Sequence, residues 1–355
     1  MLVADDSAAG RALIRGILDA DPDVEVVGQA TDGLEAVDLA DRLAPDVITM
    51  DVDMPGLDGL EATRRIMARA PRPIVLVSGV FLPDLGHSFQ ALEAGAVTLL
   101  EKPGRPGSPA FAREAAELVA TVKLMAGVKL VRRRPGAAGG PNSAPAGAGP
   151  APVARSSGPL HVVAIAASTG GPPALAQVLR TLPAGWSVPV LVVQHIGAGF
   201  DVGLVRYLDE CCTLPVGLAE DGQALRAGRV YVSPADRHLG VAAGPRLTVT
   251  PGAPVDGYRP SANHLFRTVA AVFGPGAAGV VLTGMGRDGA DGLLAVRRAG
   301  GLAIAQDEAT STVYGMPRQA MLQGASDLVL PVEEIGRALV AREAAGPDNA
   351  AGPAS

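Results

Sequence analysis

At 355 residues the chain has room for two domains of ordinary size, each able to bury a core, and with 3% aromatic residues those cores must be built from Val, Leu, Ile and Ala. A net charge of −6 argues against a general nucleic-acid binder. No apolar run approaches the roughly 18 to 20 residues that cross a bilayer, and the acidic pair Asp5-Asp6 comes too early for a secretory signal. The adjacent cysteines Cys211 and Cys212 suit neither a disulfide with each other nor a metal site, so a soluble cytoplasmic protein is expected, without membrane insertion and by default a monomer.

The amino-terminal part alternates strand and helix patterns. Leu2-Val3-Ala4 reads as a short strand, followed by a helix over 7–20, a strand over 24–29, a helix over 33–43 and a strand over 47–50. A helix over 61–70, a strand over 73–79, a helix near 85–94, a strand over 96–102 and a helix over 109–125 complete the series. Strands and helices in strict alternation predict an α/β fold with a doubly wound parallel sheet. Its polar residues gather at strand ends: Asp5 and Asp6 after the first, Asp51 and Asp53 around the third, Ser78 after the fourth and Lys102 after the fifth. Carboxylates that meet on one sheet edge repel one another unless a cation sits among them, and a hard ion such as Mg²⁺ suits oxygen ligands of this kind. A lysine and a hydroxyl beside that ion complete a site for a transferred phosphoryl group, with an aspartate as acceptor. The bland reading, helix caps and surface acids, fits any one of these residues but not the ordered set.

Arg, Pro, Gly, Ala and Ser dominate residues 132–159, which cannot bury enough apolar surface to offset the entropy of ordering. A flexible linker over 126–159 is expected, joining a first domain over 1–125 to a second over 160–342, with a disordered tail over 343–355. The cluster Arg132-Arg133-Arg134 reads as a solvated linker edge more readily than as a contact for an acidic partner.

In the second domain the stretch HVVAIAASTGGPPALAQVLRTL, residues 161–182, reads as strand, tight turn and helix, with Ser168 at the end of the apolar run. Ser168 as a mere cap of the helix starting near Pro172 is the alternative. The run PVLVVQHI closes on His195, and Asp288 follows the run AGVVLTGM, so Ser, His and Asp each end a separate predicted strand. Parallel strands bring such residues to one edge. Triad logic then has Ser168 attack an acyl carbon, His195 take and return its proton, and Asp288 hold and stabilise the imidazole. The context is not the G-x-S-x-G elbow of α/β-hydrolases, because Ala166 stands two residues before the serine and the triad order is Ser, His, Asp. His238, in a predicted hairpin, is a weaker base candidate and a better pocket-lining one. His264 is expected at the surface, Asp291 in the first turn of a helix, and Tyr314 either in the cleft or in a structural turn.

The motifs ADDS, MDVDMPGLDG, VSG and EKP, in this order and spacing, resemble the receiver domain of two-component response regulators over nearly all of residues 1–125. The resemblance implies a flavodoxin-like fold, Asp51 as phosphoacceptor, and Mg²⁺ bound by Asp6, Asp51 and the backbone carbonyl of Asp53 with Asp5 in support. It also implies Ser78 and Lys102 on the phosphoryl oxygens and a cis Lys102–Pro103 bond. Two departures stand out. Only Met1 to Ala4 precede the acidic pair, so either the chain begins upstream or the sheet is weakened at its centre, and Leu99 replaces the aromatic that reports phosphorylation in many receivers.

The motifs AASTGGP, VVQHI, YVSPADRHL, LTGMGRDGADG and AQDEATSTVYGMP resemble the catalytic domain of the chemotaxis methylesterases of CheB type, from about 160 to 340, with a Rossmann-like fold. Carried over by position, Ser168 is the nucleophile, His195 the base, Asp288 its orienting acid, Thr169 an active-site neighbour and the Met285 backbone N–H an oxyanion donor. Gly284, Gly286 and Gly289 suit a loop whose backbone approaches the substrate. The implied activity is hydrolysis of glutamate γ-methyl esters on methyl-accepting chemoreceptors, with methanol released and receptor glutamines deamidated. A chemotaxis-type histidine kinase is the implied phosphodonor, and the esterase step needs no cofactor. A receiver docked over the strand edge of the second domain would block a large substrate, so autoinhibition relieved by phosphorylation is expected. Two other classes compete: a phosphorylation-controlled binding module, disfavoured by the intact set Ser168, His195 and Asp288, and a DNA-binding output, for which no helix-turn-helix pattern or basic stripe follows residue 160.

Overall fold

A computed structural model describes residues 1–78, 98–127, 159–197 and 199–344. The helix expected at 85–94, most of the linker and nearly all of the tail lie outside the described residues. The first sheet contains β1 (Leu2–Ala4), β2 (Gly28–Ala30), β3 (Ile48–Met50), β4 (Ile74–Ser78) and β5 (Thr98–Glu101) in the order β2-β1-β3-β4-β5, every neighbouring pair parallel. With it go α1 (Ala8–Leu18), α2 (Gly33–Leu43), α3 (Gly59–Arg69) and α4 (Phe111–Ala126). The first three of these helices start where a short polar side chain accepts an otherwise orphaned N–H: Ser7 from Gly10, Asp32 from Glu35 and Asp58 from Glu61.

The first strand is as short as the sequence suggests, 3 residues, yet it is fully buried and paired on both sides. The strand expected over 24–29 is a strand only from Gly28, which pairs with Leu2, although the Val27 N–H still donates to Met1 O at 2.9 Å. The expected cis bond at Lys102–Pro103 is also absent, since the cis peptide among the described residues is Arg259–Pro260.

The second sheet has seven strands, all parallel: β6 (Val162–Ala167), β7 (Val190–Gln194), β8 (Val216–Leu218), β9 (Val230–Val232), β12 (Ala277–Val281), β13 (Leu302–Gln306) and β14 (Leu328–Leu330), in the order β14-β13-β12-β6-β7-β9-β8. The pair β10 (His238–Ala242) and β11 (Arg246–Thr250) forms a separate antiparallel hairpin, as expected around His238. Helices α5 (Gly171–Arg180), α6 (Asp201–Cys211), α7 (Ala262–Phe273), α8 (Ala290–Arg298), α9 (Met316–Leu322) and α10 (Val332–Ala344) complete the domain.

Strand side chains alternate between two faces, and both faces are covered. From β6, Val163, Ile165 and Ala167 join one core with Leu175 and Leu179 of α5 and Leu204 and Leu208 of α6. Val162, Ala164 and Ala166 join the other with Leu265, Phe266 and Val269 of α7 and Leu293 and Val296 of α8. The near-continuous apolar runs of the sequence are therefore strands buried on both sides. Chain order reverses between β6 and β12, so the loops that leave them diverge at a topological switch point, where α/β sheets place their ligands.

Phe266 is fully buried, and α7 meets α8 so closely that a Cβ on Gly292 would lie 2.8 Å from the Phe266 Cβ. Phe266→Ala is expected to destabilise the second domain by about 3–5 kcal/mol, read as a shift in its urea midpoint; a loss below about 1 kcal/mol would show that this seam does not carry the core.

Candidate active site and carboxylate centre

In the first domain the expected polar set does converge. One carboxylate oxygen from each of Asp5, Asp6 and Asp51 lies within 4.8 Å of the others. Asp5 and Asp51 are buried and Asp6 is exposed. Lys102 Nζ sits 2.8 Å from Asp5 Oδ2 and 2.5 Å from Asp51 Oδ2. Burial pushes the Asp51 carboxyl above its ordinary value, and the opposing pull of Lys102 does not cancel that rise. Burial likewise pulls Lys102 down, but its bonds to Asp5 and Asp51 overcome this and hold it above the ordinary lysine value. One ammonium cannot balance three carboxylates, and the all-oxygen donor set fits a hard divalent cation. The side chain of Asp53 is exposed and outside this group, while its backbone N–H donates to Asp51. Ser78 Oγ, at the carboxyl end of β4, is buried with no hydrogen-bond partner among the described residues.

In the second domain Ser168 is the first residue after β6, and its N–H donates to Thr283 O across 3.0 Å. The helix that follows is capped by Gly170 at φ +74°, with no side-chain cap bond. The serine hydroxyl is therefore not consumed as a cap. The main-chain approach is tight: a Cβ on Gly284 would fall 2.7 Å from the Ser168 Cβ and 2.5 Å from Met316 Sδ, so only glycine fits there.

His195 is the first residue after β7, and its Nε2 lies 2.9 Å from Asp288 Oδ2. Asp288 is fully buried and also accepts from Ser261 Oγ at 3.0 Å, Ala262 N at 2.6 Å, Asn263 N at 3.0 Å and Gly289 N at 3.0 Å. Three of those donors belong to the amino terminus of α7, whose dipole favours an anion. Burial pushes the Asp288 carboxyl up, but the His195 hydrogen bond and charge, with the amides of Asn263 and Ala262, more than reverse this and hold it below its ordinary value. An ionised Asp288 can only accept, so Nε2 carries the proton and Nδ1 is the basic nitrogen.

Ser168, Thr169, His195 and Met285 line one cavity of about 460 Å³, together with Tyr258. Within the described residues no hydrogen bond joins Ser168 Oγ to His195, and the Met285 N–H meets no acceptor. A catalytic hydrogen bond commonly tightens only when substrate enters. Thr98, Leu99 and Leu100 of β5 and Arg113 and Glu117 of α4 line the same cavity, so the first domain faces the edge that carries Ser168.

Three neighbouring side chains escaped the sequence reading. Gln194 Nε2 donates to Ser168 O at 2.8 Å and to His195 O at 2.9 Å, strapping the two candidate groups together. Ser261 and Asn263 hold Asp288, and the helix-start pattern of SANHLFRTVA was the available signal for them. Asp291 lies in the first turn of α8 as expected. His238 is buried with Nε2 on Ala253 O at 2.9 Å, and it does not line the cavity. His264, expected at the surface, is half-buried because its ring packs against that of His238 at 5.1 Å. Tyr314 makes a bridge to Gly284 and stays outside the cavity lining, which favours the structural turn.

Fold and site together define a two-module α/β protein, a receiver-like sheet with a carboxylate–lysine centre followed by a hydrolase-like sheet with Ser, His and Asp at its carboxyl edge. The family models agree: CheB methylesterase matches residues 163–339 and response regulator receiver domain matches residues 1–108. The chain belongs to the CheB methylesterase family. It is 51% identical over 336 residues to "Protein-glutamate methylesterase/protein-glutamine glutaminase 3" of Anaeromyxobacter dehalogenans (strain 2CP-C), covering 94% of this chain and 96% of that protein. Identity is also 51%, over 319 residues and 89% of each chain, to "Protein-glutamate methylesterase/protein-glutamine glutaminase 4" of Myxococcus xanthus (strain DK1622). The crystal structure of the Thermotoga maritima CheB methylesterase catalytic domain matches with a TM-score of 0.50 at 36% identity, over 51% of this chain and 98% of that one.

Because the folded pKa of Asp288 lies below its ordinary 3.8, its ionisation adds stability that is present above about pH 4 and is lost as pH falls through the folded value. Asp288→Asn is therefore expected to lower the urea midpoint at pH 7 by the equivalent of about 1–3 kcal/mol, with the gap to the parent shrinking below pH 3.8. A gap unchanged down to pH 3 would contradict the ionised, helix-held carboxylate.

Proposed function

We propose that this protein hydrolyses glutamate γ-methyl esters on chemoreceptors in the cytoplasm, releasing methanol, deamidates receptor glutamines at such positions, and is switched by phosphorylation in chemotaxis adaptation. The observation that carries this reading is the His195 imidazole, bonded to a helix-held Asp288 through Nε2 and lining the cavity that Ser168 also lines. Ser168 Oγ attacks the ester carbonyl while His195 Nδ1 accepts its proton. The Met285 N–H, beside Thr169 and Ser168 in the cavity lining, meets the oxyanion. Collapse expels the methoxy group, which takes the proton from the imidazolium and leaves as methanol. Water, deprotonated by His195, then cleaves the acyl-serine, giving the glutamate carboxylate and restoring the serine. With glutamine the same steps release ammonia.

In the receiver domain Asp51 is the phosphoacceptor, served by a chemotaxis-type histidine kinase. Asp5, Asp6, Asp51 and the Asp53 carbonyl would hold Mg²⁺, which when bound offsets the charge of the incoming phosphoryl group. Ser78 and Lys102 contact the phosphoryl oxygens. Phosphorylation takes Asp51 Oδ2 away from Lys102, the residue directly after β5, and β5 walls the cavity at Thr98, Leu99 and Leu100. The switch thus reaches the active site through one strand.

Ser168→Ala is expected to abolish methanol release from methylated receptor, by at least about 10³-fold, and a full-rate variant would remove the nucleophile assignment. A chain starting at Ser156 is expected to release methanol faster than the whole unphosphorylated protein, and no faster than the whole protein treated with a small phosphodonor. Equal rates for the truncated and the whole unphosphorylated chains would count against autoinhibition by the receiver.

A further inference from the structure

The ring of Tyr258 lies flat on the imidazole of His195, with centroids 4.9 Å apart and planes 15° from parallel. We infer that Tyr258 is a positioning residue for His195, fixing the imidazole plane by stacking so that Nδ1 is presented to Ser168 while Nε2 stays on Asp288. This inference rests on the triad reading proposed above.

The stacking is built, not incidental. Tyr258 closes a two-residue turn in which Val255 N donates to Tyr258 O and Tyr258 N donates to Val255 O, both at 3.0 Å. The two central residues, Asp256 and Gly257, sit at φ +52° and +87°, the left-handed pair that such a tight turn requires and that an Asp-Gly sequence supplies. Asn263 Nδ2 ties that turn to α7 through Asp256 Oδ2 at 3.2 Å. Three residues after Tyr258, Ser261 donates to Asp288. One short segment therefore holds the imidazole twice, across its face by the phenol ring and at its edge through Asp288. The opposite loop makes room for it: Gly286 adopts φ +89°, and a Cβ there would fall 2.3 Å from the Tyr258 hydroxyl.

An imidazole bonded through a single nitrogen still swings about that bond. A rigid aromatic ring on a pinned turn removes this freedom before substrate arrives, and small misplacements of a catalytic base cost rate steeply. The ring, not the hydroxyl, is the acting part, because the stacking needs only the π face.

The test uses the full-length protein treated with a small phosphodonor, with methanol release from methylated receptor as the readout. Tyr258→Leu is expected to lower kcat by about 10- to 100-fold while KM moves less than about threefold, and Tyr258→Phe to bring kcat back to within about threefold of the parent. Urea midpoints check that the variants fold, and Tyr258→Met replaces the leucine variant should that one fail to fold. An unchanged kcat in the leucine or methionine variant, a change confined to KM, or a phenylalanine variant as slow as the leucine one would each overturn the inference. Ser168→Ala runs in parallel: if it keeps the parent rate, the triad reading itself has failed, whereas an inactive Ser168→Ala beside a fully active Tyr258→Leu defeats only the role given to Tyr258.

Discussion

An ionised carboxylate with no access to water is tolerated only where donors replace its hydration, since each buried ion otherwise costs several kcal/mol. Asp288 meets that demand with the Ser261 hydroxyl, the amides of Ala262, Asn263 and Gly289, and the imidazole of His195. Much of the second domain follows from this cluster. The start of α7 must lie against the loop after β12, so the hairpin segment that precedes α7 is drawn over the sheet edge. Ser261 serves both partners, accepting the His264 N–H as helix cap and donating to Asp288. Because the carboxylate only accepts, the tautomer of His195 is settled by the same bonds.

Both domains exploit one topological fact, that parallel strands deliver their next residue to a common edge. The first domain collects like charges there, and the second collects unlike functions. Three carboxylates and a lysine form a centre with an excess of negative charge. Ser, His and Asp form a centre in which the buried carboxylate is already satisfied by donors. The strand β5 touches both: Lys102 follows it directly, and its side chains wall the cavity that Ser168 lines.

The strand-end positions were legible in the sequence because an apolar run that stops on a polar residue marks the end of a buried strand. That is why Asp5, Asp51, Ser78, Lys102, Ser168 and His195 could each be placed at a strand end, and why both parallel sheets were expected. The extent of β2 was not legible, since Val24, Val26 and Val27 have high β propensity yet only Gly28–Ala30 pair with β1. His264 looked exposed because its packing partner, His238, lies on a hairpin far away in sequence. Gln194 and Tyr258 carried no local signal at all. A glutamine closing a strand and a tyrosine after Asp-Gly acquire meaning only when the loops around the sheet edge meet.

The contrast with the G-x-S-x-G elbow has a physical account in the same loops. In that elbow glycines two residues before and after the serine relieve crowding locally. Here the position before is Ala166, pointing into a closed core, and only Gly170 on the far side adopts a left-handed conformation. The missing relief comes from another strand: Gly284, after β12, leaves the space in which the Ser168 Cβ lies. The serine is therefore shaped by the loop that also carries Met285, Gly286 and Asp288. Any side chain added at 284 would push on the serine and on Met316 together. Gly284 and Asp288 thus lie in one short loop, which meets Ser168 after β6 and His195 after β7.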